Sequence, residues 1–227
     1  MPTVLITGAS RGLGLEYARQ YADDGWRVIA TCRDPENAMK LANLKGEVET
    51  HALDIGDQGQ ILSLANSLHK ESIDLLLNNA GIFGPRPSKL GEIEYNTWED
   101  VMRINVMSPL MVCESFSDHI AASTLKKIAT MSSKMGSVDD NSSGGSYIYR
   151  STKTALNAVM KSLSVDLGPR GISVVILHPG WVRTDMGGPN GLIDAPESVN
   201  GLRKVIEGLN LENSGRFYNY DGSEIPW

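Results

Sequence analysis

Cysteine is nearly missing from this sequence. Cys32 and Cys113 are the only two among 227 residues, too few for a disulfide-stapled scaffold. With no secretory signal ahead of them they read as reduced thiols of a cytoplasmic protein, each better suited to a core than to catalysis. Histidine is sparse too: His51, His69, His119 and His178 stand at no ligand spacing, so no metal site is expected. Basic charge is in deficit. A net charge of -6 lacks the footprint that binding to nucleic acid requires, while leaving room for a local basic pocket. Long apolar runs are absent. No stretch approaches the roughly 18 to 20 apolar residues of a membrane span, so no membrane partner is expected. The N-terminus has neither the basic n-region nor the long h-region of a signal peptide.

What is present is enough chain to bury a substantial core, as one large α/β domain or two small ones. Thr3 to Thr7 is a short, β-branched apolar run and reads as a buried strand. Gly8-Ala9-Ser10-Arg11-Gly12-Leu13-Gly14 follows, then a helix pattern through Leu15, Tyr17, Ala18, Tyr21 and Ala22 that Gly25 stops. Strand, glycine-rich turn and helix start, in that order, form a phosphate cradle. The glycines let the backbone approach the ligand, and the N–H groups and dipole of the helix N-terminus hold anionic oxygens.

Arg27 to Cys32 is the second strand. A site that prefers NAD carries an acid at the end of this strand for the ribose 2′-hydroxyl, and here the end reads Cys32-Arg33. Arg33, with Arg11 as the opposite jaw, can instead take a 2′-phosphate through paired guanidinium hydrogen bonds; the plainer reading is two solvated loop arginines. Asp34 stands one residue late for the NAD role, although a loop shift could bring it in. Pro35 to Leu44 fits a short helix, and Glu47 to Leu53 a third strand closing on Asp54-Ile55. Asp54 suits either the adenine amino group or a loop cap. Asp57 reads as the N-cap of a helix over Gln58 to Lys70.

Ile73 to Leu77 is the fourth strand and ends on Asn78-Asn79-Ala80-Gly81, small residues where open α/β sheets bind ligands. After a loop with Gly84, Pro85 and Pro87, Thr97 reads as the N-cap of a long helix, with Asp100 completing a capping box. Asn105 lies inside that helix, against its propensity. Lys126 to Met131 is the fifth strand, followed by Ser132-Ser133 and a polar loop through Gly144-Gly145. Then comes a helix with Tyr149 and Lys153 one turn apart on one face, where an ammonium near a phenol lowers the phenol pKa. Gly168-Pro169 ends that helix. Ile172 to Leu177, running into His178-Pro179-Gly180, is the sixth strand; a short helix over Pro196 to Glu207 and a seventh strand over Arg216 to Tyr220 complete the chain. This alternation predicts one doubly wound, mostly parallel sheet with helices on both faces and right-handed crossovers, a Rossmann-type α/β fold.

Four separated motifs now stand in order: Thr7-Gly8-x-x-x-Gly12-x-Gly14, Asn78-Asn79-Ala80-Gly81, Ser133 with Tyr149-x-x-x-Lys153, and Pro179-Gly180. Together they resemble the short-chain dehydrogenase/reductase family, in its non-extended branch, over essentially the whole chain. Tyr147 to Asn157, His178 to Met186 and the ending Tyr220 to Trp227 are similar to the sniffer-type carbonyl reductases and the bacterial C-factor-like proteins. The resemblance implies a single dinucleotide-binding domain over residues 1–227, seven strands in order 3-2-1-4-5-6-7, and a small substrate-binding lobe around 185–210. It implies NADP(H) as cofactor, a small carbonyl substrate, and a homodimer or homotetramer.

It also implies roles. Tyr149 would be the general acid. Lys153 would hold the nicotinamide ribose and lower the Tyr149 pKa, Ser133 would bind the substrate carbonyl, and Asn105 would hold a water of a proton relay. Gly8, Ser10, Arg11, Gly12, Leu13, Gly14, Arg33, Asp54, Ile55, Asn79, Ala80 and Gly81 would line the cofactor site. Pro179, Gly180, Val182 and Thr184 would fix the nicotinamide end. The serine-to-tyrosine interval is a few residues longer than the family's usual one, which leaves Ser132, Ser133 and Ser137 in play. Ser133 is preferred because it follows directly on the strand. Tyr147, with Ser151 four residues on, reads as pocket wall. Ile82, Phe83, Met135, Val138, Trp181, Met186, Leu192 and Ile193 would make a mostly apolar pocket for lipophilic aldehydes, ketones or quinones. The alternative within the same fold is a non-catalytic, nucleotide-gated signalling protein.

Overall fold

A computed structural model describes residues 1–86 and 89–227. Pro87, expected in the loop after the fourth strand, lies outside the described residues. Seven parallel strands form one sheet in the order β3-β2-β1-β4-β5-β6-β7. They are β1 (Thr3–Ile6), β2 (Arg27–Cys32), β3 (Val48–Ala52), β4 (Leu75–Asn78), β5 (Lys127–Met131), β6 (Ser173–His178) and β7 (Arg216–Asn219). Parallel strands covered on both faces read as continuous apolar runs, and Val4, Leu5 and Ile6 are all fully buried.

Alternate residues feed two cores. Leu5, Ile29, Leu76 and Ile128 face one layer, filled by α3 (Gln58–Ser67), α5 (Ser108–Ala121) and α6 (Tyr147–Leu167). Val4, Ile6, Leu75 and Leu77 face the other, filled by α1 (Gly12–Asp23), α2 (Met39–Ala42) and α7 (Ala195–Glu207). Among the described residues no helix is long and apolar enough to cross a membrane.

The register decides where the site sits. Ile6 pairs with Ala30 on one side and Leu77 on the other, and Met131 pairs with Leu177. The C-terminal ends of β1, β4, β5 and β6 therefore finish along one edge. The strand order reverses direction there between β1 and β4, which opens a crevice at the switch point.

Three local expectations need correction. The helix expected over Pro35 to Leu44 shrinks to Met39–Ala42, because Asp34 captures its own turn: its carboxylate accepts from Asn37 Nδ2 at 2.7 Å and from Asn37 N at 3.3 Å. The helix α4 (Tyr95–Met102) starts two residues ahead of Thr97, and the Thr97 hydroxyl bonds the Glu94 carboxylate at 3.0 Å instead of capping. That helix runs into α5 through a π turn at Arg103–Met107. By contrast, Asp57 caps α3 by accepting from Gln60 N at 3.1 Å.

Candidate active site

A cleft of about 1160 Å³ runs along this edge. At one end is the glycine turn. Thr7 Oγ1 accepts from Asn79 N at 3.0 Å and Ala80 N at 3.1 Å, while Asn79 Nδ2 donates to Thr7 O at 3.0 Å and Gly8 O at 3.1 Å. Two strand ends are thus bonded to each other beside the N-terminus of α1. Gly14 is required by closeness: a Cβ there would stand 2.2 Å from Gly8 O and 2.6 Å from Asn79 Nδ2. This is a cradle that only a bare backbone permits, and it fits a diphosphate.

The structure gathers Gly8, Ser10, Arg11, Gly12, Leu13, Gly14, Arg33, Asp54, Ile55, Asn79, Ala80, Gly81, Tyr149, Lys153, Pro179 and Thr184 on the cleft wall. Gly180 and Val182 are not on it. Gly180 packs on Ile193 and Tyr220, and Val182 is buried in a bridge to Ile193. Asp54 Oδ1 accepts from Gly56 N at 2.9 Å, the cap of its own loop. Asp34 also stands on the cleft wall, its carboxylate accepting from Asn37. Lys40 and Asn37 join Arg33 on the wall, and both escaped the sequence reading because a helix over Pro35 to Leu44 gave no sign of which side faces the crevice. Arg11 meets Asp185 at 3.7 Å, an exposed pair.

At the other end stands α6. Its buried stripe runs Tyr149, Lys153, Leu156, Met160, Leu163, Leu167, a helical period in which the first two core positions are occupied by a phenol and an ammonium. Lys153 Nζ donates to Met131 O at 2.9 Å and lies 5.7 Å from the Tyr149 ring centroid. Burial pushes the Tyr149 phenol up to about 12; the Ser133 hydroxyl and the Arg86 guanidinium act on it in the opposite direction without prevailing. Burial also takes the Lys153 ammonium down to about 8. The expectation that Lys153 leaves Tyr149 with a lowered pKa is therefore corrected. Desolvation outweighs the neighbouring charges, and the phenol is held protonated.

The three candidate serines separate. Ser132 Oγ is spent on Asn157 Oδ1 at 2.5 Å. Ser137 Oγ donates to the main-chain oxygen of Trp227 at 3.1 Å, an oxygen that also accepts from Val138 N at 2.8 Å and Asp139 N at 2.9 Å. Ser133 caps the short turn at Lys134–Gly136, accepting from Met135 N at 3.1 Å, and is the serine that acts on Tyr149. The tail thereby ties down the far end of the serine loop, a contact across 90 residues that no local pattern announces.

Asn105 is fully buried on the π turn. Its Oδ1 accepts from Ile82 N at 2.9 Å and its Nδ2 donates to Ile82 O at 2.8 Å and Thr152 Oγ1 at 3.2 Å. The side chain grips both sides of one residue's backbone and so fixes the segment that follows Asn79-Ala80-Gly81. The apolar wall at the Tyr149 end comes from Ile82, Phe83, Met131 and Met186. Met135 and Ile193 are not part of it, and Val138, Trp181 and Leu192 are exposed at 68%, 50% and 75%. Trp181 Nε1 is turned to Gly187 O at 2.7 Å. Tyr147, at the first position of α6, is likewise exposed and off the wall, so it is not the pocket wall expected.

A cradle at the switch point of a parallel sheet defines the class as a dinucleotide-binding, Rossmann-type fold. Comparison with known proteins narrows it: the family model for short chain dehydrogenases matches residues 2–191, and the chain belongs to that family of oxidoreductases. It is 45% identical over 155 residues to the C-signal protein of Myxococcus xanthus, covering 68% of this chain and 93% of that one. Among solved structures it is similar to the carbonyl reductase Sniffer of D. melanogaster, at 32% identity, a TM-score of 0.93 and full coverage of both chains. It is also similar to the NADPH-bound carbonyl reductase from chicken fatty liver, at 31% identity and a TM-score of 0.90, covering 100% of this chain and 99% of that one.

Proposed function

We propose that the protein is an NADPH-dependent carbonyl reductase with Tyr149 as its general acid. The observation that carries this reading is geometric: Tyr149 and Lys153, one helical turn apart and 5.7 Å from ammonium to ring centroid, both stand on the wall of the cleft that begins at the glycine turn. NADPH, when bound, supplies the hydride. The N–H groups at the start of α1 would take its diphosphate, Arg11, Arg33 and Lys40 its 2′-phosphate, and Lys153 the ribose beside the reacting carbon. The similarity to a carbonyl reductase whose structure contains NADPH supports that choice of cofactor.

The residues' own part is positional and protic. Ser133 donates to the substrate carbonyl oxygen and aligns it. Tyr149 Oη gives its proton to that oxygen as the carbonyl carbon is reduced, so the product is an alcohol and Tyr149 is left as a phenolate. That phenolate is stabilised by the Lys153 ammonium and regains a proton from solvent. Asn105, by gripping Ile82 and donating to Thr152, keeps the wall of the pocket in register with the helix that carries Tyr149. The substrate is a small aldehyde, ketone or quinone whose body packs on Ile82, Phe83 and Met186.

The test is Tyr149→Phe. Consumption of NADPH against a carbonyl panel should fall by roughly 10² to 10⁴, while NADPH still raises the melting temperature. Retained turnover would sink the mechanism. The 45% identity to a protein called C-signal favours one other reading, a nucleotide-gated signalling protein. Stabilisation by NADPH with no turnover on any carbonyl would support that reading instead.

A further inference from the structure

Arg86 stands on the wall of the cleft but belongs to no motif in the sequence. Its guanidinium carbon lies 3.9 Å above the Phe83 ring centroid, and the Phe83 ring stacks in turn on Tyr149 at 4.3 Å and 20°. One N–H of Arg86 donates to Met186 O at 2.8 Å, from the opposite lip of the mouth. The cation is thus fixed on a face and at one corner, two stacked layers from the acid. A guanidinium carries five donors, and among the described residues Met186 O is its one acceptor. The carboxylate next to Met186, Asp185, is turned to Arg11 instead. Among the described residues, no acid neutralises Arg86.

A planar cation aimed over an aromatic floor recognises a carboxylate by paired hydrogen bonds. Granting the carbonyl-reductase reading, we propose that Arg86 selects the substrate: the preferred class is carbonyl compounds carrying a carboxylate or similar anion about one aromatic ring away from the reacting group. The two stacking contacts that separate the guanidinium from Tyr149, with the Phe83 ring between them, set that span. Phe83 and Ile82 would hold the flat apolar part between the two polar ends. The pocket is therefore not simply lipophilic. It is apolar in the middle and cationic at the rim.

The experiment compares 4-carboxybenzaldehyde with its methyl ester, two aldehydes of the same shape that differ in charge, using NADPH and the full chain. Intrinsic reactivity differs between them, so the quantity read is the acid-to-ester ratio of kcat/KM, in the parent chain and in Arg86→Gln and Arg86→Lys. A charge-assisted pair at a half-open mouth predicts that Arg86→Gln lowers the ratio about tenfold or more. Most of the loss should appear in KM for the acid, Arg86→Lys should keep part of the preference, and raised ionic strength should narrow it. A ratio that stays within about twofold in Arg86→Gln overturns the proposal, even if both rates fall, because Arg86 would then be only a latch to Met186. Reduction of the ester with no such change leaves the carbonyl-reductase reading standing and removes only the charge selection. Failure of the parent chain to reduce either aldehyde, with NADPH bound, counts against both.

Discussion

Replacing Gly14 by alanine sets two effects against each other, and the structure decides between them. Alanine is the better helix former, by about 1 kcal/mol within a helix, and Gly14 lies in α1. Yet the added Cβ would stand 2.2 Å from Gly8 O, 2.6 Å from Asn79 Nδ2 and 3.0 Å from Ala9 Cα. Ordinary carbon contacts lie near 3.5 Å or beyond, so the turn must move by roughly 1 Å. Overpacking of this kind costs about 1–3 kcal/mol. The displaced groups also include the Asn79 amide, whose bonds to Thr7 O and Gly8 O are worth about 1 kcal/mol each.

The clash therefore wins by roughly 2–4 kcal/mol, a fall in melting temperature of about 4–16 °C for a domain of this size. Because the moved atoms are those of the cradle, NADPH affinity should fall about tenfold or more at the same time. Gly25→Ala separates clash from backbone strain: its φ is +76° but nothing lies within 4 Å of the new Cβ. It should lose about 1–2 kcal/mol for the left-handed conformation and keep its affinity. Thermal unfolding and a fluorescence titration with NADPH read both quantities. A Gly14→Ala protein that melts within about 2 °C of the parent and binds NADPH equally well would refute the reasoning.

Three further outcomes are expected. Arg33→Ala should weaken NADPH roughly ten- to a hundredfold and NADH far less; equal loss of both in a binding titration would mean that Arg33 does not read the 2′-phosphate. Burial sets the Lys153 ammonium at about 8 and the Tyr149 phenol at about 12, so the rate of carbonyl reduction should fall as pH rises through about 8, when Lys153 loses its charge while Tyr149 is still protonated. A pH–rate profile level to pH 9.5 would contradict that order of titration. Burial, with Lys134 adding to it, takes His178 from 6.5 down to about 4. Between those values the unfolded chain binds a proton that the folded chain does not, so stability falls as pH drops through that window, by roughly 3 kcal/mol in all. Denaturant unfolding of His178→Gln should show a shallower loss between pH 6.5 and 4, and an unchanged slope would assign the acid sensitivity elsewhere.

The strands and the cradle were legible because their causes are local. A run such as Val4-Leu5-Ile6 is apolar on both faces and is closed by Thr7-Gly8, and Asp57 stands where a cap must stand. Short polar segments were legible only in part. Asp34 read as a loop acid one residue late for a ribose, and nothing in the spacing told that Asn37, three residues on, would bond it and cut the helix short. Thr97 lost its cap to the Glu94 carboxylate in the same way. Tyr149 and Lys153 were visible as a pair, but the direction of the tyrosine shift was not. Spacing reports a neighbouring charge, whereas burial is a property of the whole fold. Arg86, Lys40 and the grip of the tail on the serine loop rest on contacts across loops and elements distant in sequence, and no periodicity carries them.

The π turn at Arg103–Met107 holds one residue more than a regular helix needs. Five residues at this wide pitch turn through about as much as four of an α-helix, so removing one would join α4 and α5 as a single unbroken helix with Val112 and Phe116 still facing the core. What would change is the wide turn itself, where Asn105 holds Ile82. The shorter helix would gain regularity and lose its anchor. Selection for thermostability alone would favour the deletion, and selection for activity would reject it, so this stretch is where the two pressures on the chain part company.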